Sequence, residues 1–142
     1  MDKNLSQFGA LASGVPGALA AYERAVREHG KLDFSKLLLP AANVAEKGFV
    51  VSSAYEKALR ETVHQLRGDP ESNRILLKPS AEKNGDRQIY TQGDTLKQVD
   101  LARTYRKIAT EGLDWFYKGE FCQRTEQWMQ ANEGDPYGQR FC

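Results

Sequence analysis

Apolar residues recur at three- and four-residue steps over five stretches of the chain, and each stretch is bracketed by residues that start and stop helices. After Ser13-Gly-Val-Pro-Gly, Pro16 suits a first helical turn, because its missing N–H would have no intrahelical partner there. Leu19, Tyr22 and Val26 then predict a helix over 16–29 with Gly30 as a left-handed stop. Asp33 reads as the N-cap of a helix over 34–47, on which Leu37, Leu38, Ala41, Val44 and Ala45 share a face. Pro40 falls inside it. An interior proline removes one backbone bond and crowds the turn before it, at a cost of about 3 kcal/mol, so a kink or a restart is expected there.

Gly48 ends that element, and Phe49-Val-Val reads as a short extended link. Ser53 with Glu56 forms a capping box opening a helix over 53–67, with Tyr55, Leu59, Val63 and Leu66 inward and Gly68-Asp69-Pro70 closing it. The pattern weakens over 71–93. Ile75-Leu-Leu-Lys-Pro reads as a short strand or a buried turn, and Asn84-Gly85 marks a loose hairpin between it and Ile89-Tyr90. Thr95 and Gln98 make a second capping-box pair for a helix over 96–111, faced by Leu101, Tyr105 and Ile108 and stopped at Gly112. Trp115, Phe116 and Tyr117 crowd together before Gly119. A last helix over 120–131 carries Phe121, Trp128 and Met129 and stops at Asn132 and Gly134.

The pattern therefore predicts a mainly α chain. Its 142 residues, 40% hydrophobic and 27% charged with a net charge of +1, are one ordinary globular domain's worth. Lys57, Arg60 and Arg67 alternate with Glu56, Glu61 and Asp69, so no basic face for nucleic acid emerges. Without such a groove, three adjacent aromatics read as a packing anchor rather than a stacking platform. No apolar run reaches bilayer length, and the opening "MDKNLSQFG" lacks the pattern of a secretory signal.

Candidate chemistry is sparse. The chain has no G-x-S-x-G, P-loop, G-x-G-x-x-G or H-E-x-x-H pattern. His64 has no second ligand at metal spacing on its helix face and reads as a surface residue. Cys122 and Cys142, outside any C-x-x-C, read as free thiols rather than a pair. No catalytic, substrate-binding or metal-ligating residue is assigned, and no cofactor is expected.

The order of the landmarks nonetheless resembles the large subunit of the gamma-glutamyltranspeptidases, or glutathione hydrolases. In that family S-G-x-P-G opens a helix, L-L-x-P-A-x-x-x-A-x-x-G-F-x-V follows, and G-D-x-L-x-Q-x-D-L-A-x-T-L-x-x-I-A-x-x-G-x-x-x-F-Y-x-G comes later. Here these are "SGVPG", "LLLPAANVAEKGFVV" and "GDTLKQVDLARTYRKIATEGLDWFYKG". Val99 stands where the family often has proline, Tyr105 where it has leucine, and Ala42-Asn43 where an apolar-basic pair is common. After "QWMQAN" the family continues with a Gly-Gly turn, whereas this chain reads "EGDPYGQRFC".

The resemblance implies a helical segment of the large subunit of an N-terminal-nucleophile (αββα) hydrolase, with 1–12 as lead-in, 13–132 as the family-like part and 133–142 as a divergent tail. It implies an enzyme that cleaves γ-glutamyl amides such as glutathione through a threonine acyl-enzyme. The threonine would open a small subunit released by self-cleavage, and an arginine that grips the substrate's carboxylate would precede Ser13. The small subunit and the rest of the large subunit are then the partners. Family members are commonly periplasmic, secreted or membrane-anchored, and the sequence does not choose among these. Thr62, Thr91, Thr95, Thr104, Thr110 and Thr125 do not match the nucleophile, so this segment alone is expected to be inactive. The competing reading is a free-standing helical interaction module that has lost the active site.

Overall fold

Seven helices and one short antiparallel pair of strands are seen in a computed structural model that describes residues 9–80 and 85–132. A 3-10 turn at Ala10–Ala12 precedes α1 (Ala18–His29) and α2 (Phe34–Lys47). Then come β1 (Phe49–Val50), α3 (Ser53–Gly68), α4 (Pro70–Leu76), β2 (Thr95–Leu96), α5 (Val99–Glu111), α6 (Leu113–Tyr117) and α7 (Glu120–Ala131). The mainly α expectation holds. By internal contacts the chain forms two compact units, one running up to Leu39 and again from Thr104, the other Pro40–Arg103.

The first unit is built on aromatic rings. Leu38, Ile108 and Phe116 are buried at its centre, with Leu19, Phe34, Tyr105, Leu113 and Phe121 among the side chains packed on them. Phe116 stacks on Phe121 with ring centroids 4.2 Å apart and planes 16° from parallel, and meets Tyr117 edge-on at 5.0 Å. Gly112, at φ 79 and ψ 179, ends α5 as the sequence predicted and separates it from α6. Asn132 closes α7 by donating from its backbone N–H and its Nδ2 to the Trp128 carbonyl.

The second unit is built on small aliphatic side chains and backbone ties. Ala42, Ala45, Val51, Leu59, Leu77, Leu96 and Ala102 are buried. β1 and β2 pair in the register Phe49↔Leu96 and Val50↔Thr95. The Val51 N–H donates to the Asp94 carbonyl at 2.8 Å, and the Gln98 N–H to the Ala45 carbonyl at 2.8 Å. Gly48 enters β1 at φ 92, where a Cβ would sit 2.8 Å from the Leu96 carbonyl, so glycine alone fits.

Several expectations are corrected. Pro40 neither restarts nor ends α2. Its missing bond belongs to the Lys36 carbonyl, and both residues are exposed. The buried face of α2 is Leu38, Ala42 and Ala45, while Leu37, Ala41 and Val44 face solvent. On α1 no residue is buried and Tyr22 is 62% exposed. On α5 Ile108 is buried and Tyr105 packs on the core as predicted, while Ala102 is buried and Leu101 is exposed.

Gly30 is extended rather than left-handed, at φ −82 and ψ 163; a Cβ there would collide with the Val26 backbone. Ser52, not Ser53, caps α3 by accepting the Tyr55 N–H at 3.2 Å. Glu56 is thereby free to accept the Gln92 N–H. The Thr95–Gln98 box does not form, because Thr95 and Leu96 are strand and α5 begins at Val99. Asp69 ends α3 and also caps α4 through Ser72, with Pro70 in the first turn, so the predicted strand or turn at 75–79 is in part a helix. Lys78 pairs with Gln88 in an antiparallel bridge, as a hairpin requires; its predicted tip at Asn84 lies outside the described residues. So do Gly134, 1–8 of the lead-in and the tail. Cys122 is buried and disulfide-bonded, not free, since sequence spacing carries no information on distance in the fold; Cys142 is outside the described residues.

Candidate functional site

Two of the distinctive stretches meet in the first unit. The Tyr117 hydroxyl, at the end of α6, donates to the Pro16 carbonyl at 2.5 Å and accepts the Ala20 N–H at 3.1 Å. Gly17, the N-cap of α1, has no side chain to offer. The aromatic triplet is thus a packing anchor, as expected: Phe116 fills the core, Tyr117 reaches the loop before α1, and Trp115 tilts against Phe121 at 5.8 Å. The Trp115 Nε1–H is buried with no acceptor among the described residues.

The threonines are engaged in structure. Thr62, Thr110 and Thr125 donate their hydroxyls to the carbonyls of Ala58, Arg106 and Phe121 one turn back. Thr91 donates to the Asp94 carboxylate at 3.0 Å, Thr95 lies in β2 and Thr104 in α5. His64 is exposed on α3, and no group of three or more potential metal ligands occurs among the described residues.

Every carboxylate with a displaced pKa among the described residues is pushed down, the direction of a structural anion rather than a general acid. The Lys78 ammonium, helped by the Thr91 N–H, holds Asp94 at about 2. The Gln92 N–H and then Arg60 lower Glu56, Ser72 lowers Asp69, and Arg74 lowers Asp100.

Each unit carries an open groove. One, of about 620 Å³, has a floor of Phe34, Ile108, Leu113 and Tyr117. Its rim charges are neutralised by neighbours, Glu23 by Arg27 and Asp114 by Lys118. The other, of about 450 Å³, is lined by Arg60, Val63, Arg67, Gln88, Ile89 and Thr91. There Arg60 is taken by Glu56 at 2.6 Å, and Arg67 donates to the Arg87 carbonyl.

The family model for Gamma-glutamyltranspeptidase matches residues 1–136. The chain belongs to the gamma-glutamyltranspeptidase family. It is 36% identical to the glutathione hydrolase proenzyme 2 of Schizosaccharomyces pombe over 94% of this chain and 21% of that protein. It is 32% identical to the glutathione hydrolase proenzyme of Escherichia coli, with 94% and 22% covered. Among solved structures, the gamma-glutamyltranspeptidase of Helicobacter pylori matches with a TM-score of 0.84 and 31% identity, over 94% of this chain and 37% of that one.

The chain thus spans about a fifth of the length of the curated relatives it matches. What sequence reading missed was the Tyr117 hydroxyl, and a cap-less Gly17 before a helix was the signal that pointed to an outside cap.

Proposed function

We propose that this chain forms the helical part of the large subunit of a γ-glutamyl-transferring enzyme with the αββα architecture of N-terminal-nucleophile hydrolases. Residues 13–132 are its family-like part and 133–142 a divergent tail. The whole enzyme cleaves γ-glutamyl amides such as glutathione: a threonine hydroxyl opening the small subunit attacks the amide carbonyl, and water or an amino acid takes the acyl group. The segment described here packs and positions, supplying no catalytic group. The observation that carries this reading is the family match over 1–136, reinforced by a TM-score of 0.84 to a gamma-glutamyltranspeptidase.

The test replaces the matching segment of the Helicobacter pylori enzyme by residues 9–132 of this chain. The expected result is a soluble chimaera that cleaves itself and releases product from a γ-glutamyl anilide, while the chain alone releases none above a blank. A folded chimaera that does neither, or an active isolated chain, refutes the reading.

A further inference from the structure

The carbonyl of Pro16 and the N–H of Ala20 stand four residues apart, the spacing an α-helix joins by a direct bond. That bond is replaced here. The Tyr117 hydroxyl lies between the two groups, accepting from Ala20 at 3.1 Å and donating to Pro16 at 2.5 Å. The next bond in the ladder, from the Ala21 N–H to the Gly17 carbonyl, is formed normally at 3.1 Å. The replacement falls at the first link, so α1 begins at Ala18, one residue later than a direct bond would place it.

Among the described residues, little else holds the loop before α1. Ser13, Gly14, Val15 and Gly17 are exposed, and Gly14 and Gly17 have no atom near where a Cβ would stand. Its own backbone bonds are local, from the Gly17 N–H to the Val15 carbonyl and from the Ser13 N–H to the Ala10 carbonyl. A helix N-terminus leaves N–H groups without partners, and a side-chain oxygen from the N-cap residue normally accepts the second or third of them. Ala20 is that third residue. Tyr117, nearly a hundred residues on in sequence, performs the cap that Gly17 cannot.

We infer that the Tyr117 hydroxyl is a strap that sets the position of the loop Ser13-Gly-Val-Pro-Gly and the starting residue of α1. Through it, the end of the motif at 93–119 fixes the geometry of the motif at 13–17. The ring is anchored edge-on to Phe116, which is buried, so the hydroxyl is held by a rigid base. The inference goes beyond the proposed activity and stands without it, because all the groups involved lie in this chain.

The test is Tyr117→Phe in the full chain, which keeps the ring and removes the hydroxyl. Backbone chemical shifts and amide exchange are read by NMR. The shifts of Pro16 and Gly17 are expected to move while those of Ile108 and Met129 stay in place. The Ala20 amide is expected to exchange about fivefold faster, the scale of losing one cap. If the loop instead moves so that Ala20 bonds directly to Pro16, exchange at Ala20 stays slow, but the Pro16 and Gly17 shifts still move and the strap is upheld. Unmoved shifts at Pro16 and Gly17, or changes spread equally over α5 and α7, overturn it.

Discussion

The two units reach order by different means. From Thr104 onward, and up to Leu39, the interior is a stack of rings and branched chains centred on Phe116. In Pro40–Arg103 the buried side chains are alanines, leucines and a valine, and the segment from 85 to 98 is held by polar bonds, most of them to backbone groups. Arg87 donates to the carbonyls of Arg74 and Leu77, Glu56 accepts from Gln92, and Asp94 accepts from Lys78 and Thr91. Apolar burial is non-directional and scales with area, whereas these polar bonds specify geometry at modest net gain. The first unit should therefore be sensitive to lost volume, and the second to lost backbone freedom and lost charge.

The largest effect is expected where the rings meet. Phe116→Ala removes a buried side chain stacked at 4.2 Å on Phe121, and the transfer and cavity costs together are about 3–5 kcal/mol. Such a loss is a large part of the stability of a domain of this size. Urea unfolding of both proteins measures it. A midpoint shift worth less than about 1 kcal/mol at unchanged slope would show that the stack is not what holds this unit.

The helices and the motif order were legible in the sequence because caps and glycines act within a few residues of where they stand. Phe34–Lys47 and Glu120–Ala131 were placed to the residue. What was not legible depends on contacts far along the chain. Leu96 looked like the first residue of a helix, yet it is buried in a strand paired with Phe49. Capping looked local at Pro16, yet the cap comes from Tyr117. The family was legible from the three motifs, whereas no residue pattern in the chain pointed to a catalytic group.

A smaller effect separates backbone strain from close approach in the second unit. Gly48 and Gly93 both sit at φ 92, but a Cβ at Gly48 would come within 2.5 Å of the Thr95 Cγ2, while at Gly93 it would meet open space. Gly93→Ala should cost about 1–2 kcal/mol, the left-handed penalty alone. Gly48→Ala should cost about 2–4 kcal/mol, because the β1–β2 pair must also shift. Equal losses in thermal or urea melts would mean that the strand pair yields freely and the backbone ties of this unit are softer than argued.

The smallest effect concerns Asp94, and it tests whether charge contributes to the second unit at all. An aspartate in an unfolded chain titrates near 3.9, and in the fold the Lys78 ammonium and the Thr91 N–H hold Asp94 at about 2. A depressed folded pKa means that the unfolded chain binds the proton first as pH falls. The contribution is thus complete above about pH 5 and is lost as pH drops through 4 toward 2. The carboxylate is reachable by solvent and lies in a surface ion pair, so the change in stability is expected to be small. The carboxyl carbon shift followed by NMR gives the midpoint directly. Lys78→Met should raise that midpoint, yet leave it below the ordinary value, since the Thr91 N–H still donates at 2.9 Å. A midpoint unmoved by the substitution would assign the whole depression to the turn at Thr91 and remove Lys78 from the ties that order this unit.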